Sequence, residues 1–204
     1  MSIHSYEGDL PSDVSYSGAV AIDTETMGLD PRRDRLCVVQ LSRGDGSADI
    51  VRIAQGQTRA PNLERVLADP ALVKIFHFAR FDLAALASAF GVMPAPVYCT
   101  KIASKLVRTY TDRHGLKDLS RELLGVDMSK QQQSSDWGAD VLSEAQLAYA
   151  ASDVLHLHAL RDRLNAMLAR EGRADMAAAC FAFLPVRARL DMMGWADNDI
   201  FAHS

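Results

Sequence analysis

The sequence predicts an α/β fold: a mixed central sheet flanked by helices, with a helical C-terminal part. Three observations carry this. Short β-branched and apolar runs separated by turn signals crowd the N-terminal quarter, strand and helix patterns then alternate, and the C-terminal part reads as helix throughout. Gly18–Glu25 (GAVAIDTE) and Leu36–Ser42 (LCVVQLS) read as strands. Arg43-Gly44-Asp45-Gly46 is a turn leading to a third strand, Ala48–Ile53, so an antiparallel meander is expected to open the sheet. Asn62–Ala68 is a predicted helix, Val73–His77 a short buried strand, Phe81–Phe90 a helix, Val97–Cys99 a strand and Lys101–Arg108 a helix. Gly115–Leu124 carries an apolar stripe at Leu116, Leu119, Leu123 and Leu124, and Gly125 stops it as a C-cap. Ser143 with Gln146 forms a capping box that opens one long helix to about Glu171. Gly172 then precedes a last helix through Met193.

The chain has 204 residues, 49% hydrophobic and 24% charged, which fits one domain with a real core and argues against disorder. No basic-then-apolar leader opens it, and no run approaches the length of a membrane span. Cys37, Cys99 and Cys180 are scattered and outside any C-x-x-C, so a zinc site or disulfide framework is not expected and a cytoplasmic location is. The net charge is −4. A protein that grips long nucleic acid usually shows a basic surface, because phosphate neutralisation supplies much of the affinity. A chain without one suits a short substrate better.

Three acidic clusters stand out. In a strand, Asp23 and Glu25 project to one face, with Ala21, while Val20, Ile22 and Thr24 face the other. Two carboxylates at ~4 Å repel by about 4 kcal/mol at an effective dielectric near 20, which a divalent cation would relieve. Taken alone the pair fits a solvated strand end better than a site. Asp82 falls in the first turn of a helix after His77, where the helix dipole alone would explain an acid. Tyr149 and Asp153 stack at i, i+4, compatible with a site or with a core Tyr beside an unrelated Asp.

In this order and spacing, the clusters resemble the three motifs of the DEDD 3′→5′ exonuclease superfamily, in the variant whose third motif carries Tyr; its fold is ribonuclease H-like. The resemblance implies Asp23, Glu25, Asp82 and Asp153 as ligands of two divalent metal ions, Mg²⁺ or Mn²⁺. It places Tyr149 beside the attacking water. Hard oxygen ligands suit these ions, and a phenol with an ordinary pKa of about 10 orients water better than it deprotonates it.

Gly115–Leu119, Ser129–Trp137 and Leu142–Gln146 look like the ribonuclease D group. One departure stands in the second motif, usually H-N-A-x-x-D, where this chain has Phe78 in place of Asn. Ribonuclease D proteins add C-terminal helical nucleic-acid-binding domains for which 1–204 leaves no room, so a single exonuclease domain is expected. Arg35–Leu41, Thr109–Gly115 and the ending from Gly194 are similar to the nanoRNase C proteins, compact relatives that hydrolyse very short RNA, down to dinucleotides, as octamers. The resemblance thus implies short RNA as substrate, nucleoside 5′-monophosphates as products and a homo-octamer as assembly. Substrate-side candidates are Thr24, Leu29, His77, Lys130, Gln133, Ser134 and Ser135. For Leu29, a wedge between bases and an ordinary buried leucine are both open, and the Ser-Gln run is equally a solvated loop. Trp137 reads as a core anchor. Lys101, Lys105, Arg108, Arg113 and Lys117, like Arg32, Arg33 and Arg35, either line an entry path or form a solvated face or inter-subunit salt bridges. The final helix, rich in Phe, Met and Leu, reads as part core and part subunit interface. The alternatives are 3′-end trimming of longer RNA or DNA, and a non-catalytic nucleic-acid-binding module.

Overall fold

The computed structural model describes residues 2–129 and 131–203. A six-stranded sheet in the order β1-β4-β3-β2-β5-β6 forms its centre. The expected meander is β2 (Ala19–Thr26), β3 (Leu36–Ser42) and β4 (Ser47–Arg52), paired antiparallel. β5 (Val73–Phe76) and β6 (Val97–Cys99) add parallel strands on the β2 side. β3 is buried along its whole length, so both sheet faces are covered, and its apolar content follows from that.

At the opposite edge lies a strand absent from the sequence reading. β1 (Ser2–Glu7) pairs parallel with β4, from Ser2 opposite Ser47 to Glu7 opposite Arg52. Its residues SIHSYE are polar and largely exposed, so no hydrophobic pattern marks it. Buried Asp49 of β4 holds it instead, accepting hydrogen bonds from Tyr16 (2.8 Å) and Tyr6 (3.3 Å) and lying 3.2 Å from His4 Nδ1.

The helices are α1 (Pro61–Ala68), α2 (Ala79–Phe90), α3 (Thr100–Val107), α4 (Leu116–Leu119), α5 (Glu144–Leu155), α6 (Leu157–Arg170) and α7 (Ala174–Leu190). α4 runs on as a π-helical turn to Leu124 and is stopped by Gly125 at φ 71°, the expected C-cap. α7 runs on through a further π-helical turn, Asp191–Trp195. The Ser143–Gln146 capping box is present in both directions, with Gln146 N–H donating to Ser143 Oγ (3.2 Å) and Ser143 N–H to Gln146 Oε1 (3.0 Å).

One expectation is corrected. The helix from Ser143 to Glu171 is two helices, broken at His156 (φ −101°, ψ −6°). α5 buries Ala150, Ala151 and Val154 against β2, β3 and β4, whereas α6 buries Leu157, Leu160, Leu164 and Leu168, largely against α3. The two surfaces need different helix directions. Neither Gly nor Pro marks the break, because packing produces it.

Candidate active site

β2 organises the site by alternation. Asp23 and Glu25 share one face, and α5 brings Asp153 to it. One carboxylate oxygen from each of Asp23, Glu25 and Asp153 lies within 4.8 Å of the others. Thr24 points to the other face, 6% exposed, and its hydroxyl donates to Asp82 Oδ1 at 2.7 Å. Asp82, in the first turn of α2 and 3% exposed, stands outside the triplet but close enough to raise the pKa of Asp23 and Glu25.

Among the described residues no ion pair neutralises any of the four acids. Their protons are correspondingly hard to lose. Burial, reinforced by the neighbouring carboxylates, pushes Glu25 up to about 9 and Asp23 well above the usual carboxylate range. Burial raises Asp82 and Asp153 to about 7, against hydrogen bonds from Thr24 and Tyr149 that pull them down. An all-oxygen, all-acidic donor set without a resident cation fits a hard divalent ion such as Mg²⁺ or Mn²⁺.

Tyr149 sits one turn before Asp153 on α5. Burial and the charges of Asp153, Glu25 and Asp23 raise its pKa, so the phenol keeps its proton. Buried Trp137 packs against the Tyr149 ring, with centroids 6.0 Å apart, and thus anchors the core as expected while bracing the site.

The acids open into a cleft of about 290 Å³, walled by His77, Lys101, Leu116, Lys117, Ser129 and Gln133 among others. His77 Nδ1 lies 2.9 Å from Thr100 Oγ1, and among the described residues its buried Nε2 has no partner. Burial, helped by Lys101, lowers its pKa to about 3, so the ring is neutral at pH 7 and offers a hydrogen-bonding group rather than a charge.

The other substrate-side candidates are dispersed. Leu29 is 85% exposed and lines an adjoining cleft. Ser134 and Ser135 are not among the residues lining the acidic cleft, and Ser135 Oγ donates to Gln132 (2.6 Å). Lys130 lies outside the described residues.

Of the basic series, Lys101 and Lys117 line the cleft, whereas Arg108 is fully buried. It donates to Ser104 Oγ (3.0 Å), Arg113 O (2.6 Å) and Glu122, and so latches the loop that leads to the cleft wall at Gly115. Arg32 and Arg33 are engaged with Asp30 and Asp34, and Arg35 donates to the Ile53 and Gly138 carbonyls.

Gln40 is a residue of the site that the sequence reading passed over. It lies opposite Asp23 in the β2–β3 pair, fully buried, and its Nε2 donates to Asp23 Oδ2 at 3.0 Å. The available signal was a single amide in the otherwise apolar run LCVVQLS.

Residues 7–169 match the model of the DNA_pol_A_exo1 family, described as 3′-5′ exonuclease. The chain belongs to this 3′-5′ exonuclease family. Among curated relatives, Ribonuclease D of Gluconacetobacter diazotrophicus is 41% identical over 165 residues, covering 81% of this chain and 42% of the relative. The chain therefore spans less than half the length of that relative. Brucella melitensis NrnC is similar over 100% of both chains. Its structure with bound Mg²⁺ is 62% identical with a TM-score of 0.96, and its structure bound to pGG is 63% identical with a TM-score of 0.97. Escherichia coli RNase D shares the fold at 26% identity and a TM-score of 0.76, over 85% of this chain and 45% of that one. The α/β layered, ribonuclease D-like fold and the family read from the three acidic motifs are both borne out.

Proposed function

We propose that this protein is a 3′→5′ exoribonuclease that hydrolyses short oligoribonucleotides, down to dinucleotides, to nucleoside 5′-monophosphates. The observation that carries this reading is the unneutralised acidic cluster Asp23, Glu25 and Asp153, with Asp82 beside it, at the base of a small cleft. The full-length likeness to NrnC, solved with pGG, supports the substrate class.

In this reading Asp23, Glu25, Asp82 and Asp153 would together hold two divalent cations. Such ions, when bound, would polarise the scissile phosphate and balance charge on the attacking and leaving oxygens. Tyr149, kept protonated, orients the attacking water by hydrogen bonding. Thr24 and Gln40 hold the Asp82 and Asp23 carboxylates in place, at 2.7 and 3.0 Å. Lys101 and Lys117 meet phosphate charge at the cleft mouth. The unpartnered Nε2 of neutral His77 hydrogen-bonds a sugar or phosphate oxygen.

The net charge of −4 favours a short ligand, since few phosphates leave little to gain from a basic surface. A length series with purified protein and Mg²⁺ or Mn²⁺ tests this. Diribonucleotides should be turned over at least about 10-fold more efficiently (kcat/KM) than longer strands, a difference of roughly 1.4 kcal/mol in transition-state binding. Equal or better rates on long RNA would replace this reading with ribonuclease D-like trimming, which the 41% identity to Ribonuclease D also supports.

The assembly is proposed to be a homo-oligomer, with the octamer resting on the resemblance to nanoRNase C proteins. Met193, Trp195, Ile200 and Phe201 are exposed together at the C-terminal end, beyond the Phe181 and Leu184 side chains that α7 commits to the core. Apolar exposure of this kind marks subunit contacts. Sedimentation should therefore find no monomer at micromolar concentration, and Trp195→Glu with Phe201→Glu should shift the protein towards smaller species. A monodisperse monomer overturns this.

A further inference from the structure

Phe78, which departs from the usual second motif, occupies an unusual backbone position. Among the described residues other than glycine it alone has a positive φ, 75° with ψ 44°, the left-handed conformation that L side chains avoid. The position is the N-cap of α2, next to His77 of the acidic cleft. Phe78 offers no side-chain cap there, and its ring is instead left 45% exposed. Lys101 Nζ lies 4.4 Å from the ring centroid, a cation–π contact from a residue that also lines the acidic cleft.

The ring also borders the adjoining cleft of about 370 Å³, together with Leu29. Hydrogen bonds close the base of the Leu29 loop. Asp34 accepts from Asp30 N–H at 3.0 Å, Asp34 N–H donates to Asp30 O at 2.7 Å, and a Cβ on Gly28 would meet Asp34 Oδ2 at 2.2 Å. On the far side Arg80 is fixed to Asp191 and to the Ala196 carbonyl. Two exposed apolar side chains, one of them aromatic, thus line one cleft, and Lys101 links that ring to the acidic cleft.

We propose that Phe78 is a nucleobase-stacking platform, holding one base of the short oligonucleotide in the cleft it shares with Leu29, while Lys101 steadies the ring and faces the phosphate. The proposal rests on the function argued above and deepens it. Stacking on an aromatic face is tolerant of base identity, since every base has a π-face. Phe78 then contributes affinity with little sequence preference, and an Asn in its place trades area for one hydrogen bond.

The test compares wild type, Phe78→Asn and Phe78→Trp on a 5′-phosphorylated diribonucleotide and on analogues with abasic ribose at either position. Asn tolerates the left-handed backbone, so the ring is lost while the turn remains; circular dichroism and Tm check this. Phe78→Asn should raise KM by about 10- to 100-fold, the worth of stacking one base, with kcat within about 3-fold of wild type. Phe78→Trp should keep KM. On the analogue lacking the stacked base, wild type and Phe78→Asn should be alike. An unchanged KM in Phe78→Asn, or an equal loss on both abasic analogues, overturns the platform. Fluorescence of a 2-aminopurine dinucleotide bound in Ca²⁺ reads stacking without turnover, and quenching should need the ring at 78. Quenching without hydrolysis in Mg²⁺ or Mn²⁺ would sink the exonuclease reading and leave the platform standing; hydrolysis with no dependence of quenching on Phe78 would do the reverse.

Discussion

Asp23→Asn should abolish metal-dependent hydrolysis and at the same time make the metal-free protein more stable. The amide still accepts the Gln40 hydrogen bond, so the local structure is kept while a charge is removed. Loss of a ligand is expected to lower kcat/KM by at least about 1,000-fold, or about 4 kcal/mol of transition-state stabilisation.

The stability gain follows from the raised carboxyl pKa values. In the folded, metal-free chain Glu25 titrates near 9, Asp82 and Asp153 near 7, and Asp23 well above its ordinary range. A folded pKa above the unfolded one contributes stability that is fully present below the unfolded value, about 4 for these acids, and is lost as pH rises through the folded value. Metal-free wild type should therefore lose stability from about pH 4 to about pH 9, each group contributing up to about 1.4 kcal/mol per pH unit. Asp23→Asn should flatten that slope, because it removes one titrating acid and its repulsion of the others. Thermal melts across this range, with EDTA and then with Mg²⁺ or Mn²⁺, measure both effects. Added metal should rescue wild type at high pH and help the variant much less. Full activity in Asp23→Asn would remove Asp23 from the ligand set, and an unchanged slope would remove the repulsion argument.

Tyr149→Phe carries the next largest effect. The phenyl ring keeps its packing against Trp137, so metal affinity and KM should hold. Only the hydroxyl is lost, and kcat should fall by about 100- to 10,000-fold, the range for a group that handles the attacking nucleophile. Burial and the three surrounding carboxylates keep the phenol protonated, which suits the proposed role of orienting water. The pH–rate profile separates this from proton abstraction. An ascending limb present in wild type and absent in Tyr149→Phe would make Tyr149 a base instead.

What could be read from the chain was whatever repeats on a short period. The β2–β4 meander, the shared face of Asp23 and Glu25, the Ser143–Gln146 box and the Gly125 stop are all local, and all are present. The missed features depend on distant partners. β1 is polar and is secured by Asp49, some forty residues on. The break at His156 arises because α5 and α6 pack on different surfaces. The left-handed turn at Phe78 had no glycine to announce it.

The Gln40–Asp23 hydrogen bond has a consequence for how this site tolerates change. β2 offers Asp23 and Glu25 on one side and the Thr24 grip on Asp82 on the other, so the centre depends on odd and even positions of a single strand. Sliding β2 by one residue against β3 would swap the two sets and put acids where the Asp82 support belongs. Gln40 works as an indexing pin against that slip, since a shift of one residue would leave Ile22 or Thr24 opposite its amide in place of Asp23. Evolution can therefore trade side chains along this strand far more freely than it can insert or delete a single residue.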